Sequence, residues 1–274
     1  MRNCFLKPGI TTLTFLVCII SINSQVTICS WNIQDIGKTK SDAEIQFIAT
    51  TIIDFDIVAI QEVVAKDPGG AQAIARLANE LNRMSNKWDY TISDPTSSSA
   101  YKAERYAFIW KTSKVTKMGK AWLEKRYHLA IDREPYFATF KANGTIFTVV
   151  NFHAITKSRQ PETEIKYFKF IPAEYPELNL IFCGDFNCPQ SHSVFNPLKS
   201  MGYKPVFINQ KTSLRQQCFN GDCLASEFDN VFYNEDSFKI ISCGIISFYN
   251  SFETIKAAKK ISDHVPVWVE IAVE

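Results

Sequence analysis

Acidic, amide and imidazole side chains fall in this sequence at the points where apolar runs stop. Asn32 closes Ser30-Trp31-Asn32-Ile33, Glu62 closes Ile60-Gln61-Glu62, and His153 closes Asn151-Phe152-His153. Asp185 and Asn187 follow Leu180-Ile181-Phe182-Cys183, Asp229 and Asn230 sit in Phe228-Asp229-Asn230-Val231, and Asp263-His264 precede the last apolar run. Taken singly, such residues are mostly turn caps or solvated ends. As a group they match a narrow chemistry. Carboxylate and amide oxygens suit a hard cation such as Mg²⁺ or Mn²⁺. Two histidines with acidic partners suit a general base and a general acid. Hydrolysis of a phosphate ester needs both, together with positive charge on the non-bridging oxygens. The sequence has no Gly-x-Ser-x-Gly elbow, no phosphate-cradling glycine loop before a lysine and no His-Glu-x-x-His helix, which removes the common alternatives.

Strands and helices must bring these residues together. Strands are predicted at 25–33, 56–60, 88–93, 105–111, 114–119 and 135–141. An Asn143-Gly144 hairpin turn then leads into a strand at 145–153. Further strands are predicted at 179–183, 228–233, 238–247 and 265–273. Ser41-Asp42-Ala43-Glu44 is a capping box opening a helix with Ile45, Ile48 and Ile52 on its apolar face. A second helix follows Gly69-Gly70, with Ile74, Leu77, Leu81 and Met84 on one face, and two more are expected at 162–170 and 192–201. No repeat or interdomain linker is evident. This mix argues against a simple doubly wound parallel sheet and for an α+β, four-layer α/β/β/α sandwich of two packed mixed sheets with helices outside.

The 274 residues, 46% hydrophobic and 21% charged, exclude a disordered or coiled-coil chain. Residues 1–24 read as a secretory signal peptide: Arg2 and Lys7 precede an apolar run from Leu13 to Ile22 that is too short to span a bilayer. The protein is therefore expected to be secreted, outside the cell or in a periplasm, as one domain over 25–274. The leader holds two of the 30 basic residues and no acid, so the remainder balances its 28 acids. This balance argues against a strongly basic nucleic-acid coat protein. Lys111, Lys114, Lys117, Lys120, Lys125 and Arg126 form a basic stretch, read as a solvated strand edge with a DNA-backbone contact as the sharper alternative. Six cysteines follow the leader. Cys29, Cys183 and Cys243 lie in apolar runs and are expected as buried thiols, whereas Cys188, Cys218 and Cys223 are the disulfide candidates.

The motifs Ser-Trp-Asn-Ile, Ile-Gln-Glu-Val, Gly-Asp-Phe-Asn-Cys and Ser-Asp-His-Val-Pro, in that order, resemble the endonuclease/exonuclease/phosphatase superfamily. Tyr101-Lys102-Ala103-Glu104-Arg105-Tyr106 and Arg133-Glu134-Pro135 resemble its deoxyribonuclease I-like branch. The resemblance implies that Asn32, Glu62, Asp263 and Asp185 hold a divalent metal. It implies that His264 with Asp229 activates water and that His153 with Glu104 protonates the leaving oxygen, roles that sequence leaves exchangeable. Asp185 and Asn187 would orient the phosphate, and Arg133 and Tyr101 would contact substrate. It also implies Mg²⁺ or Mn²⁺ as cofactor with Ca²⁺ as a structural ion, DNA as substrate, a monomer without an obligate protein partner, and no stable membrane association. A bridge from Cys188 to Cys218 or Cys223 would resemble the family's large-loop disulfide. Gln34 and Val64 stand where the mammalian enzyme has arginines that reach DNA, and the segment between Tyr101 and Glu104 carries one extra residue. The same fold on a lipid or small phosphoester, of sphingomyelinase or inositol phosphatase type, is the alternative. A binding module without catalysis ranks last, because no histidine or acid of the set is missing.

Overall fold

The computed structural model describes residues 24–66, 68–84, 87–98 and 103–273. The leader up to residue 23 and Tyr101 lie outside them. The first half runs β1 (Ser24–Ile36), α1 (Asp42–Ile52), β2 (Ile57–Val64), α2 (Gly69–Met84), β3 (Trp88–Ile92), β4 (Glu104–Lys111), β5 (Thr116–Leu123), β6 (Tyr136–Ala142) and β7 (Thr145–His153). The second runs α3 (Glu162–Ile165), α4 (Ile171–Glu174), β8 (Leu180–Asp185), α5 (Asn196–Lys199), β9 (Tyr203–Pro205), β10 (Leu214–Phe219), β11 (Asp222–Leu224), β12 (Asp229–Asn234), β13 (Ile240–Ile245), α6 (Ile255–Ala258) and β14 (Val267–Val273).

Two six-stranded sheets result, ordered β13-β14-β1-β2-β4-β3 and β5-β6-β7-β8-β12-β9. Each is antiparallel except for one central parallel pair, β1 with β2 and β7 with β8. Alternation along each strand divides the core. Val26 and Ile28 of β1, Ile57 and Ala59 of β2, Phe147 and Val149 of β7 and Ile181 and Cys183 of β8 point between the sheets. Cys29, Trp31 and Ile33 face the other way, against α1 and α2. On the opposite outer face Phe152, Phe168, Phe182, Phe186 and Phe195 pack under the short second-half helices. The four-layer sandwich is therefore the observed fold.

The capping box at Ser41 is present, with Glu44 Oε2 accepting from the Ser41 backbone at 2.7 Å. The hairpin at Asn143-Gly144 joins β6 to β7 in the expected register. Three segments differ from expectation. The helix expected at 162–170 is broken into α3, a 3-10 turn at Phe168–Phe170 and α4. The one expected at 192–201 is a 3-10 turn at Ser193–Phe195 followed by α5, with Pro197 in its first turn, where the missing N–H costs nothing. The hairpin of β10 and β11, with an Asn220-Gly221 turn, went unanticipated, because Arg215, Gln216 and Gln217 give its strand no apolar alternation.

The cysteines also redistribute. Cys218 and Cys223 bridge across this hairpin, and Cys188 is a buried free thiol, so the large-loop pairing through Cys188 is replaced by a short local one. Cys243 is exposed rather than buried, because it lies on the edge strand β13, which has no neighbouring strand on its outer side. Lys111 departs from the solvated stretch: it is 7% exposed and its Nζ donates to Asp54 O at 2.9 Å, near Asp56. Lys114 and Lys120, at the free edge beside and along β5, are exposed as expected.

Candidate active site

The alternation that builds the inter-sheet core also builds the site. Followed toward one end of the sandwich, the inward face changes from Val26 and Ile28 to Ser30 and Asn32 on β1, and from Phe147 and Val149 to Asn151 and His153 on β7. Ile181 and Cys183 give way to Asp185 on β8, Phe108 and Tyr106 to Glu104 on β4, and Val231 to Asp229 on β12. A side-chain period of 2 carries each apolar face directly into a polar residue. Between the two regions lies a buried amide layer, in which Gln61 Nε2 donates to Asn151 Oδ1 at 2.6 Å and Asn151 Nδ2 donates to Ile60 O at 3.0 Å.

Glu62 breaks the rule. Alternation with Val58 and Ile60 would turn it to the outer face. A register shift in the β2–β4 pairing between Ile60 and Val63, and a left-handed backbone at Glu62 (φ 60°), bring it inward instead. Positive φ is costly for a residue with a β-carbon and tends to persist at functional positions. Asn187, at φ 50°, is a second case in the same site.

Two histidine–carboxylate pairs converge on Asp185. His153 Nδ1 donates to Glu104 Oε1 at 2.9 Å, and His264 Nδ1 donates to Asp229 Oδ2 at 2.7 Å. Each ring thus turns Nε2 to the same carboxylate oxygen, Asp185 Oδ2, at 3.5 Å for His153 and 3.6 Å for His264. Asn32 Nδ2 donates to Glu62 Oε1 at 3.0 Å and to Asp185 Oδ2 at 3.1 Å. The Asn187 backbone N–H donates to Asp185 Oδ1 at 2.8 Å. Arg133 donates to Glu104 Oε2 at 3.0 Å. The half-buried Asp263 makes no such direct contact, but its charge acts on Glu62 and His264. The structure therefore brings together Asn32, Glu62, Glu104, Arg133, His153, Asp185, Asn187, Asp229 and His264, with Asp263 at the margin.

Electrostatics follow from burial and pairing. Burial alone would lower both imidazoles, but Glu104 lifts His153, and Asp229 with Asp185 lifts His264 well above the usual range. Burial would raise Asp185 and Glu104, yet the facing histidines, joined at Glu104 by Arg133, hold both below it. At Glu62 burial prevails and the carboxyl is raised.

Several positioning residues were not anticipated individually. Thr212 Oγ1 accepts from Asp229 N at 2.9 Å and from Phe228 N at 3.2 Å. Ser262 Oγ donates to Asn32 O at 2.5 Å and accepts from His264 N at 2.9 Å, and Trp31 Nε1 donates to His264 O at 2.8 Å. Glu164 accepts from Asp132 N at 2.6 Å and from Ile155 N at 2.8 Å, joining the loops that present Arg133 and His153. Tyr106, whose hydroxyl accepts from His153 N at 3.1 Å, Gln61 and Asn151 could have been found by extending the alternation; Thr212 lies in an irregular segment and Glu164 in the short helix α3, and neither carries such a signal.

The donor set suits a hard divalent cation. Asn32 Oδ1 is buried without a hydrogen-bond partner beside the Glu62 carboxylate, leaving an oxygen free to coordinate. Asp185, Asp229 and His264 form a second cluster, with one ligand atom each within 4.8 Å of the others. In that cluster, however, His264 Nδ1 and Asp229 Oδ2 are already committed to each other.

The model of the Endonuclease/Exonuclease/phosphatase family matches residues 29–264, which include every member of this constellation. The chain belongs to that family. It is accordingly a hydrolase of the nuclease and phosphoesterase class. It is 26% identical over 270 residues to a deoxyribonuclease of Thioalkalivibrio sp. (strain K90mix), covering 90% of this chain and 71% of that one. Family folds recur at lower identity. A Bacteroides thetaiotaomicron mannosyl-6-phosphatase superposes with TM-score 0.62 at 20% identity, over 90% of this chain and all of that one. TDP2 of D. rerio, solved with a single-strand DNA product, gives TM-score 0.64 at 14% identity, over 91% and 100%.

Proposed function

We propose that the protein is an exported, divalent-metal-dependent endonuclease that hydrolyses DNA phosphodiesters. The observation that carries this reading is the convergence of two carboxylate-paired imidazoles on one point beside Asp185. A scissile phosphate placed there has a proton acceptor on one side and a proton donor on the other. In its neutral form His264, its Nδ1–H held by Asp229, takes a proton from water at Nε2. The water oxygen bonds to phosphorus as the P–O3′ bond breaks, and O3′ takes the proton from His153 Nε2. The products are a 5′-phosphate and a 3′-hydroxyl. Glu104 holds His153 in the tautomer that presents Nε2, and Asn187 orients the phosphate. Arg133, 12% exposed at its side chain, supplies positive charge next to the leaving side. Asn32, Glu62, Asp185 and the nearby Asp263 would hold Mg²⁺ or Mn²⁺, which when bound neutralises charge on the phosphate oxygens.

The relative named a deoxyribonuclease supports DNA as substrate, and the leader read at residues 1–24 supports export. A small phosphoester is the second reading, favoured by the likeness to a mannosyl-6-phosphatase. Plasmid DNA incubated with protein in Mg²⁺ and in EDTA tests the first, beside a His153→Ala/His264→Ala variant. Metal-dependent nicking absent from the variant is the expected result. Absence of nicking under any divalent cation refutes it, and the same preparation then goes to sugar and inositol phosphates.

A further inference from the structure

Beside the catalytic centre lies a cavity of about 540 Å³, lined on its inner side by Glu62, Glu104 and Arg133. That volume is in the range that holds a small organic ligand, roughly 300–1,000 Å³. Its position is one-sided: it borders the partners of His153, and none of Asp229, His264 or Asn187 lines it. Its outer walls are apolar at Val64 and Ile155, and its rim carries the exposed cations Lys66 and Arg159 beside the acids Asp35 and Asp132. A second cavity of about 250 Å³ continues beyond, sharing Asp132, Ile155 and Arg159 with the first and leading to Leu129, which is 92% exposed. Arg159 thus stands on the divide between two successive pockets. Its side chain is half exposed and its nearest acid, Asp132, is a loose 4.0 Å away, so the guanidinium retains donors for another anion.

We propose that this pair of pockets is a binding track for an unpaired DNA strand on the 5′ side of the cut. The first pocket takes the nucleotide whose O3′ leaves, Arg159 holds the phosphate joining it to the next nucleotide, and the second pocket takes that one. The inference rests on the proposed nuclease reading and on His153 as the acid, since that assignment makes this the leaving side. A concave pocket with apolar walls at Val64 and Ile155 fits a splayed base better than a stacked duplex, so the track selects single-stranded or locally opened DNA.

The test uses Arg159→Glu and Val64→Trp, the second filling the first pocket, with Lys120→Glu on the far edge strand as a charge control. Binding of a fluorescent single-stranded oligonucleotide in EDTA is read by anisotropy, so the result does not depend on turnover. Both track variants are expected to weaken binding tenfold or more, and the control by less than twofold. Arg159→Ala should lower the slope of log K against log salt by about 0.7, the value for one phosphate contact on a single strand. In turnover, the penalty in kcat/KM should be at least tenfold larger for the oligonucleotide than for bis(p-nitrophenyl) phosphate, which has no upstream nucleotide, and should appear in KM. Equal penalties on both substrates, or oligonucleotide binding insensitive to both variants, overturn the track. A wild type that binds the oligonucleotide through Arg159 yet cleaves nothing refutes the nuclease reading and leaves the track standing.

Discussion

Replacing Thr212 by valine isolates one atom on which the His264 side of the site depends. The two side chains have nearly the same shape, so the change removes the hydroxyl and little else. In the structure Thr212 is fully buried, and its Oγ1 accepts the Asp229 N–H at 2.9 Å and the Phe228 N–H at 3.2 Å. Valine leaves both donors without a partner. A buried unsatisfied donor costs about 1–3 kcal/mol; the longer bond to Phe228 belongs at the low end, giving about 2–4 kcal/mol together. For a domain of this size 1 kcal/mol moves Tm by about 2–4 °C, so a loss of about 5–15 °C is expected by calorimetry. Activity should fall further than stability accounts for. The freed Asp229 backbone shifts a carboxylate that fixes His264 through a 2.7 Å bond, and about 1.4–2 kcal/mol lost in the transition state is a tenfold to thirtyfold drop in kcat. Thr212→Ser keeps the acceptor and should recover most of both. A valine variant with Tm within 2 °C and kcat within twofold of wild type would refute the assignment of Thr212 as the anchor of Asp229.

Three further outcomes follow from the geometry. Gly184 has φ +141°, and a β-carbon there would sit 1.8 Å from Phe152 O, so Gly184→Ala should lose more than about 4 kcal/mol and fail to give soluble protein with a cooperative melt. Both site histidines are raised by their carboxylates. The stability these pairs confer on the metal-free protein is therefore fully present below the ordinary histidine pKa and is lost as pH rises through the raised values. Urea midpoints in EDTA should fall between pH 6 and pH 9, and Asp229→Asn should shrink that fall. Peptide mapping after alkylation should recover Cys218 joined to Cys223, with Cys188, 5% exposed and its thiol pushed up to about 11 by burial, labelled only after unfolding.

Most of the site was legible because it is an extension of the core pattern. Once β1, β7 and β8 are placed, the period of 2 that buries Ile28, Val149 and Cys183 dictates that Asn32, Asn151, His153 and Asp185 share their face. The motif order added which of these residues belong to one site, while the pairing of strands far apart in sequence, such as β1 with β14, came only with the structure. Glu62 shows what pattern alone misses: a bulge and a positive φ invert its direction, and neither leaves a mark on residue type. The β10–β11 hairpin was illegible for the opposite reason. Its strands are two-sided and polar, held by a turn, the Cys218–Cys223 bridge and their root on Ser213 and Leu214 rather than by a buried face. Broken helices after β7 were over-read as continuous, because Ile165, Phe168 and Ile171 keep helical spacing while the backbone alternates between α and 3-10 turns.

Trp31 and Asn32 near the start of the domain are tied to Ser262 and His264 near its end, through Trp31 Nε1 on His264 O and Ser262 Oγ on Asn32 O. This clasp makes the order of synthesis matter. A growing chain acquires Asn32, Glu62, Glu104, His153 and Asp185 early, yet the His264 imidazole and the strand that seats β1 come after them. Until then β1 lacks its antiparallel neighbour β14. Without β14, neither the seat of β1 nor the clasp on Asn32 and His264 can form, so the constellation closes only when the two ends of the described domain have met.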